Sequence, residues 1–233
     1  MSTQSGPSLT FKTKLFAGLL LFLLWPTLKV RATEIAVWNF NDSDLVVDHG
    51  SGTLSTNFNL VNVVFTLGGT TTNARQGDGA GQSLTLQGGT GNANNGRNIT
   101  LGVSTVAFSN IVISFATQGT SSGFNSNQLQ YSLDGLTFVD FGSPYTPAAA
   151  FGSLPLTFDM SSIAGLDNNP NAAFRIVFNG ATSSSGNNRI DNMVVEGTPL
   201  TTTAIPEPMS ILLLTSGLTS AFVFRRVRKA KLE

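Results

Sequence analysis

One histidine, His49, and no cysteine are available to this chain for nucleophilic or metal chemistry. A Ser-His-Asp relay would have to run through His49. That residue stands in "VVDHGSG", a polar, glycine-flanked stretch without the strand-turn-helix setting of a nucleophile elbow, and reads as an exposed loop histidine. The missing cysteines exclude thiolate catalysis, disulfides and cysteine-ligated zinc, and a lone histidine excludes a multi-histidine metal site. Carboxylate pairs, which hydrolyse glycosides, are the remaining catalytic chemistry. Residues 33–200 hold eleven acids, enough for many pairs, so the pattern singles out none and no catalytic residue is assigned. Asp191 stands apart because it lies between Ile190 and Met193 in "RIDNMVVEG". An acid in an apolar strand must be paired, hydrogen-bonded or metal-bound, and Arg189, Arg175 or loop amides are available partners. Tyr145, in the loop "SPYTP", and Tyr131 are the candidates for stacking a ligand ring, with a place in the core or at its rim as the alternative. Trp38 alternates with Ala36 and Phe40 and is expected to face the core.

The elements that must position these residues are strands. No helical periodicity of any length runs from Thr33 to about Gly197. Ten short segments rich in Val, Ile, Phe and Thr are separated by Gly, Asn and Ser: "EIAVWNF", "NLVNVVFTL", "QSLTLQG", "NITLGVST", "NIVISFATQ", "NQLQYSL", "LTFVDFG", "LPLTFDM", "AAFRIVFNG" and "RIDNMVVEG". Such spacing predicts an all-β, antiparallel β-sandwich. Residues 161–166 are expected to form one helical turn, and 68–102 to hold long surface loops around a strand at 83–87. Asp134-Gly135, between two alternating segments, predicts a type I′ hairpin. The same "SLDGLTF" resembles an Asp-box turn of sialidase propellers, but a single copy reads as a hairpin turn.

Charge divides the chain. The stretch 33–200 has four arginines, no lysine and eleven acids, a net charge of −7, while the whole chain sums to zero. That balance disfavours nucleic acid as a partner. Residues 1–32, with Lys12 and Lys14 before "LFAGLLLFLLWPTL" and Ala32 at the cut, read as a signal peptide whose apolar stretch forms a helix. Residues 198–205 are a Pro/Thr linker. At 206–233, Pro206-Glu207-Pro208 precedes the apolar run Met209–Phe224, expected to be a transmembrane helix, and the cluster Arg225, Arg226, Arg228 and Lys229. This arrangement resembles a PEP-CTERM sorting signal. The resemblance implies transient anchoring in the cytoplasmic membrane, processing near Pro206–Pro208 by an exosortase-type enzyme, and delivery to the cell surface or extracellular matrix.

The segment 33–197 is the folded domain. "AVWNFND", "ISFATQGTSSGFNSNQLQYSLDGLTFVDFG" and "FDMSSIAGLDNNPNAAFRIVFNGATSSSGNNRIDNMVVEG" resemble an exported bacterial β-sandwich module, jelly-roll-like and similar in architecture to carbohydrate-binding modules. The resemblance implies that first and last strands lie together, and that a structural Ca²⁺ near their seam would draw on Asp191, Asn39 and Asp42. The alternative is no cofactor, with Asp191 bonded to arginine or loop amides. The expected function is a non-enzymatic structural or adhesive role in biofilm. Binding of exopolysaccharide is the first alternative and a glycoside hydrolase the second.

Overall fold

The computed structural model describes residues 31–200. The expected signal helix, the Pro206-Glu207-Pro208 motif, the transmembrane segment and the Arg225–Lys229 cluster lie outside the described residues. Among the described residues no helix is long and apolar enough to cross a membrane.

Twelve strands make up the described domain: β1 Thr33–Trp38, β2 His49–Gly50, β3 Thr53–Thr56, β4 Val63–Leu67, β5 Gln82–Gln87, β6 Arg97–Gly102, β7 Phe108–Gly119, β8 Ser126–Ser132, β9 Val139–Asp140, β10 Leu156–Asp159, β11 Ala173–Asn179 and β12 Asn187–Pro199. All ten expected segments contain strands. The two additions, β2 and β3, are short and polar and carry no alternating pattern to announce them. A 3-10 turn at Ala164–Leu166 falls inside the expected helical turn. The strands form two antiparallel sheets. One has five strands in the order β3-β6-β11-β8-β9. The other has seven, running β10-β7-β12-β1-β2, with β5 also pairing β12 and β4 pairing β5. First and last strands are neighbours, Trp38 opposite Met193 and Thr33 opposite Gly197.

The core follows from the period-2 alternation of the strands. On β11, Phe174, Ile176 and Phe178 are buried, while Arg175 and Val177 face outward. Phe58, Phe124 and Phe178 meet edge-on with ring centroids 5.6–5.7 Å apart. Each fully buried phenylalanine contributes about 1.5–3 kcal/mol of apolar transfer. Trp38 lies in this core as expected.

The outer faces of the two sheets differ. On the seven-stranded sheet, Val37, Ala116 and Val194 alternate with core-facing neighbours yet are themselves buried. The loop 68–81 roofs them. Asn73 Nδ2 donates to Ser114 Oγ at 3.0 Å and to the Asn192 carbonyl at 2.8 Å. Asn192 sits at a β-bulge with positive φ and donates back to the carbonyls of Thr70 and Thr72. Over the five-stranded sheet the cover is partial, with Phe138 from the loop between β8 and β9 lying on Arg175.

The type I′ hairpin does not form. Strands β8 and β9 pair only through Gln130–Asp140 and Tyr131–Val139, so a long loop joins them. Of the two turn residues only Gly135 has positive φ. The Asp134 carboxylate instead accepts N–H bonds from Leu136 at 2.8 Å and Thr137 at 2.7 Å, and the Ser132 hydroxyl at 2.8 Å. These donors hold its acidity well below the ordinary carboxylate range. Asp134 thus organises the loop through its side chain, which leaves its own backbone in ordinary geometry.

Candidate functional site

The outer face of the five-stranded sheet presents one row of polar side chains across all five strands. Ser55 on β3 faces Thr100 on β6, Thr100 faces Arg175 on β11, Arg175 faces Gln130 on β8, and Gln130 faces Asp140 on β9. Four interstrand spacings make this row about 19 Å long. It offers two hydroxyls, a guanidinium, an amide and a carboxylate, all pointing the same way by strand parity. Gln130 Nε2 donates to Asp140 Oδ1 at 2.8 Å. Gln130 Oε1 and Arg175 Nε are buried and have no hydrogen-bond partner among the described residues. The Arg175 Cζ stands 3.5 Å above the centre of the Phe138 ring, so the long loop after β8 supplies an aromatic floor for the guanidinium. Burial lowers the Arg175 pKa. Beside the row, Thr53, Thr100, Asn171 and Ala173 help line a shallow hollow of about 330 Å³ that ends at Asp134 and Gly135.

Tyr145 is not a stacking platform. Its ring lies 6.0 Å from Phe115 and 5.9 Å from Phe158, and its hydroxyl is buried without a partner. Burial pushes its phenol pKa up. The loop "SPYTP" folds inward because Tyr145 exchanges backbone hydrogen bonds with Asn127, which draws the ring against the sheet. Tyr131 is half-buried, edge-on to Phe141 at 6.4 Å, and offers a rim rather than an open face.

Asp191 is almost wholly buried, 1% exposed, and its carboxylate accepts one amide from the roofing loop and one from the bulge of its own strand. Thr70 N–H donates at 2.7 Å and Asn192 N–H at 2.9 Å. Burial pushes its pKa up to about 6 against the opposing pull of these two bonds and of the Arg189 charge. Asn39 belongs to a different network. Its backbone N–H donates to Asp48 Oδ2 at 2.7 Å and its Nδ2 to Asp78 Oδ2 at 3.0 Å. Asp42 shares no hydrogen-bond partner with either Asp191 or Asn39 among the described residues. Asp191 and Asn39, expected to share one calcium ion with Asp42, thus take part in separate hydrogen-bond networks. Among the described residues no group of three or more His, Asp or Glu side chains is placed to hold a metal ion.

His49 is not a loop residue. It pairs with Val37 on the edge of the seven-stranded sheet, and its Nε2 lies 3.3 Å from Asp78 Oδ2. One facing pair of glutamates exists among the described residues: Glu34 on β1 stands opposite Glu196 on β12. Arg75 bridges them, 3.5 Å from Glu34 and 3.4 Å from Glu196. That shared cation pins the roofing loop to the strands.

The residues of the polar row are visible in the sequence as strand residues but not as a site. Sequence reasoning offers Arg175 only as a partner for Asp191, which the structure puts on the other sheet. The one signal is an arginine at the outward parity of "AAFRIVFNG"; the cross-strand registers that line it up with Thr100 and Gln130 leave no mark in a single sequence.

No family model matches this chain, and no curated protein does. Solved structures with a similar strand arrangement include TmCBM61 in complex with β-1,4-galactotriose, at 13% identity and TM-score 0.41, covering 67% of this chain and 92% of that one. The CBM22-1 xylan-binding domain of Paenibacillus barcinonensis Xyn10C matches at 12% identity and TM-score 0.43, covering 72% and 96%. The K2 cleaved adhesin domain of Lys-gingipain matches at 11% identity and TM-score 0.41, covering 68% and 96%. These likenesses are remote and transfer no residue roles.

Proposed function

We propose that this chain is a non-catalytic carbohydrate-binding protein, with the glycan lying across the outer face of the five-stranded sheet. The observation that carries the reading is the polar row Ser55–Thr100–Arg175–Gln130–Asp140 on the outer face of this sheet, where Phe138 covers only the middle of the row. Sugars are recognised by hydroxyl-matching amides, carboxylates and guanidinium groups, and the row supplies one of each in Gln130, Asp140 and Arg175. About 19 Å of sheet accommodates several sugar rings of an extended chain. The non-catalytic half of the reading is supported by the engagement of the chain's candidate chemical groups: Arg75 bridges the facing glutamates, the backbone amides of Thr70 and Asn192 cap Asp191, and Asp78 holds His49. Display at the cell surface through the PEP-CTERM-like tail completes the proposal, and adhesion to matrix polysaccharide is its cellular form.

The test is calorimetric titration of the full-length chain, held in a polyoxyethylene detergent, with a panel of soluble polysaccharides. At least one polysaccharide binds, and Gln130→Ala weakens it about tenfold, the worth of a hydrogen bond made in a desolvated site. Absence of binding across the panel, or binding indifferent to Gln130→Ala and Thr100→Val, refutes the reading.

A further inference from the structure

The domain has four arginines, and their surroundings differ. Arg75 is neutralised by two glutamates. Arg189 donates to the carbonyls of Thr66 and Leu67 and to the Ser83 hydroxyl. Arg97 is exposed at the start of β6. Arg175 sits in the middle strand of the five-stranded sheet, one face on Phe138 and its Nε buried, and its side chain forms no hydrogen bond or ion pair with any described residue.

This is an odd place to leave a cation uncompensated. Eleven acids are present in residues 33–200, and the acid nearest along the row, Asp140, is held by Gln130 instead. A guanidinium stripped of part of its water gains most from a carboxylate, which it grips with two parallel N–H bonds from one edge of its plane. Phe138 covers a face of that plane and Nε is buried, so the edge a carboxylate would grip is the one formed by the two terminal nitrogens, which have no partner among the described residues. Thr100 and Gln130 flank it, one on each neighbouring strand.

We infer that Arg175 is the receptor for the carboxylate of an acidic sugar, so that the glycan bound on this face contains uronic-acid units. The inference rests on the carbohydrate-binding reading and narrows its ligand class. Recognition is by contact rather than by field, because a domain of net charge −7 repels a polyanion at long range. Added salt weakens the contact and screens the repulsion together, so the dependence of affinity on salt is shallow.

The experiment titrates the full-length chain and its Arg175→Lys and Arg175→Gln variants with alginate, polygalacturonate and hyaluronan, each beside its carboxyl-reduced form. The expected result is at least a tenfold preference of the unmodified chain for one acidic polymer over its reduced form. Arg175→Gln abolishes that preference while leaving binding of the reduced form within about threefold, and Arg175→Lys keeps part of it. An unchanged near-ultraviolet circular dichroism spectrum shows that the variants fold. Equal affinity for acidic and reduced forms, or equal loss of both in Arg175→Gln, overturns the carboxylate assignment and leaves the glycan-binding reading standing. No binding to either form overturns the carboxylate assignment, and the polysaccharide panel described above decides the glycan-binding reading. Binding of the acidic polymers that survives Arg175→Gln and collapses with salt belongs to the basic cluster at Arg225–Lys229 and also overturns the assignment.

Discussion

Replacing Asp191 by asparagine removes one titration from the folded core and leaves the shape of the side chain nearly unchanged. The carboxyl of Asp191 has its pKa raised from 3.8 to about 6, chiefly by burial. A raised acid binds its proton more tightly when folded than when unfolded, so its contribution to stability is fully present below pH 3.8 and is lost as pH rises through 6. At 1.36 kcal/mol per unit, the full swing is about 3 kcal/mol. Roughly 2 kcal/mol of it falls between pH 4.5 and 7.5. The asparagine of Asp191→Asn cannot titrate, and it keeps one acceptor for the N–H groups of Thr70 and Asn192 where the carboxylate has two. Urea melts of the wild-type and Asp191→Asn chains at pH 4.5, 6.0 and 7.5 isolate this contribution, because every other titrating group, Asp48 included, cancels in the difference. The wild-type advantage is expected to grow by roughly 2 kcal/mol on going from pH 7.5 to pH 4.5, about 5 °C in Tm for a domain of this size. A difference that stays constant with pH, or that shrinks on acidification, refutes the account of Asp191 as a buried acid held by the backbone amides of Thr70 and Asn192.

Three further outcomes follow from the packing. Gly50 has φ +80°, and a Cβ there would collide with the Ile35 carbonyl, so Gly50→Ala lowers the urea midpoint by an amount equivalent to about 3 kcal/mol or more. Phe178→Ala opens the Phe58/Phe124/Phe178 cluster and costs about 3–5 kcal/mol by the same assay. Asp134→Ala removes the acceptor of the Leu136 and Thr137 amides, so hydrogen exchange at those two positions accelerates while β11 amides keep their protection.

The sandwich is legible because its long strands carry the period-2 pattern plainly. "AAFRIVFNG" alternates inward and outward side chains, and Trp38 declares its place by alternation with Ala36. The pairing of first and last strands follows from a resemblance, and the structure has it. What stays hidden depends on register and on local backbone detail. "TLST" has one apolar residue and reads as loop, yet its backbone pairs with β6. Asp134-Gly135 carries the strongest short hairpin signal, and the competing side-chain turn wins because Leu136 and Thr137 N–H groups lie within reach of the carboxylate. Tyr145, flanked by prolines, looks exposed by composition, whereas two backbone bonds to Asn127 turn it inward. The polar row is invisible for a related reason: Ser55, Thr100, Arg175, Gln130 and Asp140 come from five separate segments, and only the sheet makes them neighbours.

Strand β12 follows the other eleven in chain order, yet it lies between β7 on one side and β1 and β5 on the other. Until residues 187–199 have been delivered, three partners of the larger sheet lack their common neighbour. A polypeptide leaving a ribosome, or threading a narrow pore end-on, therefore stays pliable and dependent on holding factors through nearly the whole domain, and then locks at once when its last strand arrives.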